Sequence, residues 1–259
     1  MGLSNQEIED VAQRLASARH SGNRLHTRDL LTTPLGSVSD AYAIQEAVLA
    51  TYQSRDDHAP KVWKAGAPDA ASDALVAQIF PNHVYTSPAS MVGNNHSMVG
   101  VEAELAFRFS YRLTQKDKPY TPNEVLDAID GVFVTIEVIE SRFKDWDNAG
   151  ELWQLADGLV SGGLVQGTGI EDWRSIKFEE QQVRVAVDGQ TTRVAKASHP
   201  LADPTLILSK AVNHVIERDG ELTQHSVITT GSWVGIVAVG PGGEVKVTFP
   251  GIGEAKALF

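Results

Sequence analysis

Two strand-forming segments near the middle of the chain carry carboxylates among residues that look buried. In "VGVEAELAFRF" (99–109) apolar and polar residues alternate, so Glu102 and Glu104 point to the same face of a strand. In "GVFVTIEVIESRF" (131–143) a long β-branched run predicts a buried strand, and this run contains Glu137. An unpaired carboxylate is costly to bury, so something must compensate these charges.

The residues alone leave three interpretations of these carboxylates open. The side chains could line a solvated face, or they could pair with Arg108 and Arg142. They could instead hold a divalent cation, because a purely carboxylate set of ligands suits Mg²⁺ or Mn²⁺. The chain has no cysteine, which excludes disulfides and thiolate metal sites.

The balance of charges limits the partners of the chain. Lys and Arg number 22 against 33 Asp and Glu, which gives a formal net charge of −11. A protein without a basic stripe is a poor ligand for nucleic acid or anionic membranes. No apolar run approaches the roughly 18 residues of a membrane span, and the N-terminus has no apolar signal core. The sequence therefore predicts a cytoplasmic protein that binds neither nucleic acid nor membranes.

Helix signals dominate the first third of the chain and strand signals the rest. The predicted elements are a helix over 8–15, a helix after Ser39, a short helix at 68–78, a loop at 80–97, a capped helix at 121–129, a Gly-rich strand at 159–169, a hairpin at 182–197 around Asp188-Gly189, a helix at 202–220, and four short strands from 227 onward. This order predicts an α+β fold with a mixed or antiparallel β core. We expect one structural domain, in which a helical portion (1–60) packs on a β-rich catalytic region (61–259).

Several motifs taken together resemble the 2-keto-4-pentenoate hydratase and 4-oxalocrotonate decarboxylase family, within the fumarylacetoacetate hydrolase superfamily. The strongest are "VGVEAELAFRF", "VTIEVIESRFKDW", "SHPLADPTLIL", "ITTGSW" and "FPGIGEAKALF", and weaker ones are "WKAGAP" and "LADGLVSGGLVQG". The resemblance covers residues 40 to 259, approximately. It implies a β-roll or distorted barrel surrounded by helices.

The resemblance also implies a metal site and a substrate class. It assigns Glu102, Glu104 and Glu137 to one divalent cation, Mg²⁺ or Mn²⁺. The substrate implied is a small 2-oxo acid, whose carboxylate and 2-oxo oxygens the metal would chelate while stabilising an enolate. Lys64 in "WKAGAP" matches a lysine near the substrate, where it either moves protons with a lowered pKa or stays charged as an anchor. Lys61 is expected on the opposite face of the strand.

The remaining candidate site residues follow from the same motifs. The candidates for substrate binding are Thr230, Gly231, Ser232, Arg142 and Asp157. Asn82, in "IFPNHVY", stands where hydratases of the family carry an aspartate, and the neighbouring His83 is a candidate catalytic replacement. Gly158 and Val160 replace a polar pair of the family pattern A-D-N-x-S. These departures affect residues that the family pattern assigns to proton transfer, and they leave the metal ligands intact.

We therefore predict a metal-dependent lyase for a 2-oxo acid, either a hydratase or a related decarboxylase, that forms a homo-oligomer. One alternative is a hydrolase that cleaves a C–C bond of an acylpyruvate, although the segment 80–97 offers no acid to activate water. Another is a degenerate, non-catalytic relative that binds a metal–oxoacid complex or serves as the partner subunit of a related lyase. The intact glutamates and lysine favour catalysis, whereas the departures favour degeneracy.

Overall fold

The structure is a computed structural model that describes residues 2–52, 59–92 and 98–259. Its strands are β1 (Val62–Gly66), β2 (Leu75–Ile79), β3 (Val84–Thr86), β4 (Ala89–Ser90), β5 (Met98–Phe109), β6 (Leu113–Thr114), β7 (Ile129–Glu140), β8 (Ser161–Ile170), β9 (Gln182–Val187), β10 (Gln190–Lys196), β11 (Glu221–Leu222), β12 (Val227–Thr229), β13 (Glu244–Phe249) and β14 (Gly253–Leu258). Its α-helices are α1 (Asn5–Ser21), α2 (Val38–Ala50), α3 (Pro122–Asp127), α4 (Glu151–Ala156) and α5 (Leu208–Asp219).

The large sheet places strands that are distant in sequence side by side. Its seven strands lie in the order β2-β1-β12-β5-β7-β8-β3. The register sets Glu102 on β5 opposite Glu137 on β7. Thr229 on β12 lies between Lys64 on β1 and Ala106 on β5. Because alternate residues of a strand share a face, this register brings one polar side chain or more from each of four neighbouring strands to the same side of the sheet.

A second, five-stranded sheet closes the apolar core. Its order is β10-β9-β13-β14-β4, and β14 packs against β7 and β8 of the large sheet. Alternate residues of β13, Val245, Val247 and Phe249, are buried. The large sheet curls into a half-barrel around this core, with helices outside it. The predicted α+β fold of the β-roll type is confirmed.

Capping boxes mark the N-termini of two helices. Ser4 and Glu7 form a capping box at α1, and Thr121 and Glu124 form one at α3. Helix α1 packs on α2, α2 packs on α4, and α5 packs beside β2. Among the described residues, none of the helices combines the length and the apolar character that crossing a membrane requires.

The sequence prediction is wrong in the segment before β2 and in the one after it. Residues 68–78 form bends and then β2, not a helix. Asp69 accepts hydrogen bonds from the backbone N–H groups of Ala71 and Ser72 at 2.8 Å, which closes a turn where a helix would need to continue. The described part of 80–97 is not a plain loop, because it contains a 3₁₀ turn (Pro81–His83) and the strands β3 and β4; residues 93–97 lie outside the described ranges.

Two further boundaries differ from the prediction. Helix α2 begins at Val38 because Ser37, rather than Ser39, provides the cap. After Thr230 the described residues form two strands, β13 and β14, so the C-terminal segment has three strands and not four. Between β12 and β13 the chain is joined to the large sheet by an isolated bridge between Val237 and Val101 and by the Trp233 N–H, which donates to the Ala103 carbonyl at 2.9 Å.

A candidate metal and substrate site

The three glutamates converge at one place on the large sheet. Glu102, Glu104 and Glu137 each offer a carboxylate oxygen, and these oxygens lie within 4.8 Å of one another. Two oxygens on opposite sides of one cation are about 4 Å apart for Mg²⁺ and about 5 Å for Ca²⁺. Small side-chain rotations therefore suffice for the three carboxylates to share a divalent cation.

Neither of the other two interpretations of these carboxylates fits the structure. Glu137 is fully buried and Glu104 is 1% exposed, so these two do not line a solvated face. Arg108 pairs with Asp130 at 2.7 Å. The acids that Arg142 contacts are outside the cluster. A different positive charge must balance the cluster.

Lys64 supplies part of that charge. Its Nζ lies 2.7 Å from Glu137 Oε1 and donates a hydrogen bond of 2.9 Å to the Leu159 carbonyl. Burial lowers the pKa of Lys64, but the attraction of the three glutamates outweighs burial and leaves the pKa raised. The raised pKa favours the charged ammonium, and the role of Lys64 toward a substrate stays a prediction. Lys61 pairs with Asp219 instead, which agrees with its expected place on the other face.

One ammonium does not neutralise three carboxylates. Burial raises the pKa of Glu102 to about 7, repulsion by Glu137 adds to this, and Lys64 partly offsets it. Burial and the repulsion of both neighbours raise the pKa of Glu104 well above its ordinary value. Among the described residues, the Lys64 ammonium is the one donor beside Glu137, whose oxygens have no other hydrogen-bond partner. Crowded, under-satisfied carboxylates of this kind fit a hard divalent cation.

The predicted substrate-binding turn is bonded to the glutamates. Gly231 donates its N–H to Glu104 Oε2 at 3.2 Å, and its φ of 102° favours glycine. The Ser232 hydroxyl donates to the Gly235 carbonyl at 3.3 Å, and its proximity lowers the pKa of Glu102. Thr229, which the sequence reasoning overlooked, donates its hydroxyl to the same Glu104 oxygen. Its place in "ITTGSW" was visible, but only the strand register shows that it faces the cluster.

Thr230 serves the turn differently. Its hydroxyl donates to the Leu105 carbonyl at 3.0 Å, and its own carbonyl lies 2.8 Å from Nε2 of the buried His199. Both contacts fix the backbone from which Gly231 donates to Glu104. Substrate binding by these three turn residues stays a prediction.

Arg142 and Asp157, also predicted to bind substrate, form a buried ion pair. Arg142 donates from Nε and from its backbone N–H to the Asp157 carboxylate, and from NH1 to the Ser161 carbonyl at 3.1 Å. Ser141 adds a hydroxyl donor to Asp157 at 3.2 Å. No contact within the described ranges joins this pair to the three glutamates. The pair stabilises the turn between α4 and β8, and its role in substrate binding stays a prediction.

That turn has an unusual backbone. Gly158, Leu159 and Val160 have φ values of 67°, 54° and 55°, which is the left-handed region that glycine adopts freely and a β-branched residue resists. The Val160 carbonyl accepts the Glu140 N–H at 2.8 Å, which helps to hold the turn. The strained conformation directs the Leu159 carbonyl toward Lys64. Gly158 therefore suits the backbone, even though it departs from the family pattern.

Asn82 and His83 lie in the 3₁₀ turn before β3. Asn82 is exposed, and His83 Nδ1 lies 2.9 Å from the Gly162 carbonyl. Burial lowers the pKa of His83, which keeps its ring neutral at pH 7. The contacts of the described residues do not join either side chain to the glutamates. Their predicted catalytic roles stay predictions.

Sequence reasoning also overlooked a buried pair behind the turn. Arg19 of α1 donates from NH2 to the Ser161 carbonyl at 2.9 Å, and its NH1 lies 3.9 Å from Glu140 Oε2. Burial lowers the pKa of Arg19 to about 10. The helical pattern gave no signal for these contacts, because Ser161 and Phe80, over whose ring the guanidinium lies at 4.7 Å, are distant from Arg19 in the sequence.

Comparison with known proteins connects this geometry to a family. No protein-family model matches the chain. It is 24% identical to the 2-keto-4-pentenoate hydratase of Burkholderia vietnamiensis over 262 residues, which is 97% of each protein. It is 25% identical to the 4-oxalocrotonate decarboxylase of Pseudomonas putida over 136 residues, so that match spans 52% of this chain and about half, 51%, of the decarboxylase.

A solved structure has the same fold over almost the whole chain. The 4-oxalocrotonate decarboxylase of Pseudomonas putida G7, complexed with magnesium and adipate, superposes with a TM-score of 0.83 at 19% identity, covering 99% of this chain and 98% of that one. The same enzyme has also been solved with calcium and acetate. These similarities agree with the resemblance that the motifs indicate, and the superposition shows that the fold is shared. The curated relatives are enzymes, a hydratase and a decarboxylase, which supports an enzymatic function.

Proposed function

We propose that this chain is a divalent-metal-dependent lyase that acts on a small 2-oxo acid, in a reaction like that of 2-oxopent-4-enoate hydratase or 4-oxalocrotonate decarboxylase. The observation that carries the proposal is the convergence of three buried or half-buried carboxylates and one charged lysine from three strands of the large sheet, β1, β5 and β7. The names of the relatives supply the substrate class.

In this proposal the glutamates of the cluster bind the cation and the lysine binds the substrate. Glu102, Glu104 and Glu137 would hold Mg²⁺ or Mn²⁺, which when bound supplies Lewis acidity to stabilise negative charge on the 2-oxo oxygen. The Lys64 ammonium has three N–H donors, of which Glu137 and Leu159 engage two. The third donor remains for an oxygen of the substrate, and the fixed positive charge attracts an anionic acid.

Proton transfer is where the chain departs from a hydratase. Asn82 cannot take up a proton, and a carbonyl oxygen already occupies His83 Nδ1. A positioned acid or base contributes about 10²- to 10⁴-fold to such a step. We therefore propose that the protein labilises the C3 protons of a simple 2-oxo acid readily and adds water across the double bond of 2-oxopent-4-enoate slowly.

The test is to follow both reactions with one preparation. Proton NMR of pyruvate in D₂O with Mg²⁺ or Mn²⁺ should show loss of the methyl signal, and the loss should stop when EDTA is added. Ultraviolet absorbance should show slow hydration of 2-oxopent-4-enoate. Lys64→Met should slow the proton exchange. Lys61→Met is its matched control, because Lys61 pairs with Asp219 on the other face. Rapid hydration by the unmodified protein would contradict the proposed specificity.

A second candidate function is the binding of a metal–oxoacid complex without turnover. The exposed Asn82 favours it, since the described part of 80–97 places no acidic side chain near the cluster. Metal binding with neither proton exchange nor hydration would favour this candidate. For the hydrolase alternative, no hydrogen bond or ion pair within the described ranges joins a histidine to any of the three glutamates. A homo-oligomer and association with a related lyase stay predictions.

A further inference from the structure

Glu104 is bonded unevenly through its two oxygens. Oε2 accepts the Thr229 hydroxyl and the Gly231 N–H, the latter at 3.2 Å. Two donors match the two lone pairs of one carboxylate oxygen. Within the described ranges, no residue donates a hydrogen bond to Oε1. The two oxygens therefore have different tasks, with Oε2 fixed by the protein and Oε1 left for another ligand.

Thr229 is well placed to enforce this division. It is fully buried on β12, between β1 and β5. Its other hydroxyl neighbour is Thr135 Oγ1, at 3.5 Å. A hydroxyl has a single proton, so once Thr229 donates to Glu104 it can only accept from Thr135. The β-branched side chain has few rotamers, and the direction of the donor is therefore set by the strand.

We propose that Thr229 is a positioning residue of the metal site. Its hydroxyl holds Glu104 Oε2 and thereby presents Oε1 alone to a divalent cation, so that Glu104 binds through one oxygen. This inference rests on the proposed function, in which the three glutamates hold a cation. Hydrogen-bond partners of metal ligands typically change metal affinity by about 10- to 100-fold when they are removed.

The test compares Mn²⁺ binding by three variants of the full chain, without substrate. Thr229→Val keeps the shape and loses the hydroxyl, and it should bind Mn²⁺ about 10- to 100-fold more weakly in calorimetric titrations. Thr229→Ser keeps the hydroxyl and should restore most of the affinity. Thr223→Val is the matched control, because the buried Thr223 bonds to Ala59 and Ser226 and not to the glutamates. It should bind Mn²⁺ like the unmodified protein.

The outcomes separate this inference from the proposed function. Suppose that the unmodified protein binds Mn²⁺. The positioning role is then wrong if Thr229→Val binds Mn²⁺ equally well, or if Thr229→Ser binds it as weakly as Thr229→Val. In either case the metal site itself stands. If the unmodified protein binds no Mn²⁺, the proposed function fails and the inference fails with it. Should Thr229→Val not fold, a crystal structure of the unmodified protein with Mn²⁺ decides, since Glu104 bound through both oxygens would overturn the inference.

Discussion

Replacing Glu102 by glutamine should stabilise the metal-free protein at pH 8. The pKa of Glu102 is raised from 4.5 to about 7, chiefly by burial and then by repulsion from Glu137. An ionised carboxylate with such a raised pKa destabilises the folded state by about 3 kcal/mol at most. Glutamine has nearly the same shape and carries no charge. We expect Glu102→Gln to raise the free energy of unfolding by up to about 3 kcal/mol.

The increase in stability caused by Glu102→Gln must depend on pH, and the direction of this dependence is fixed. Between pH 4.5 and about 7 the folded protein retains a proton on Glu102 that the unfolded chain has released. The stability of the unmodified protein therefore falls as pH rises through this window, because the unfolded state binds fewer protons. Glutamine does not titrate, so the advantage of Glu102→Gln should be below about 1 kcal/mol at pH 5 and should level off above pH 7.

Urea unfolding in EDTA at pH 5 and pH 8 measures this difference. Glu9→Gln, on the exposed side of α1, is a control that removes the same charge away from the cluster. With Mn²⁺ added, the unmodified protein should become the more stable of the two. It gains stability from the bound cation, whereas Glu102→Gln has lost one of the three ligands. A Glu102→Gln variant that is less stable without metal at pH 8, or equally stabilised at both pH values, would refute the reasoning.

Three further predictions concern the lysine, the loop and the turn. Lys64→Met should slow C3 proton exchange by about 100-fold or more without weakening Mn²⁺ binding, since it removes a positive charge from beside the ligands; exchange at the unmodified rate would contradict the anchor role. Asn82→Asp should raise the hydration rate about 10-fold or more if residue 82 reaches the substrate; an unchanged rate would place it out of reach. Val160→Gly relieves left-handed strain, so its melting temperature should be unchanged or higher while proton exchange slows; a clearly lower melting temperature would contradict the strain.

Much of the fold and the centre of the site could be predicted because local patterns determine them. Period-two alternation placed Glu102 and Glu104 on one face, and their burial follows from the long apolar strands around them. Capping boxes at α1 and α3 and the turn at Asp188-Gly189 involve only neighbouring residues. The sequence signal and the structure therefore agree there.

The misinterpreted positions depend on contacts between distant parts of the chain. Residues 75–79 form a strand because they pair with β1, although their composition suits a helix. Thr229 faces the glutamates through a register between four strands that no local pattern encodes. Arg142 is attractive as a ligand for an anionic substrate until its partner Asp157 is known. Leu159 contributes a backbone carbonyl, so its side chain gave no indication of its role.

The central claim is that Glu102, Glu104 and Glu137 hold one divalent cation, and anomalous diffraction from crystals soaked with Mn²⁺ and oxalate tests it most directly. We predict a single strong anomalous peak bonded to one oxygen or more of each of the three carboxylates, with Lys64 Nζ in contact with oxalate. A map with no peak among the three carboxylates, or with its strongest peak at other acidic residues, would contradict the account.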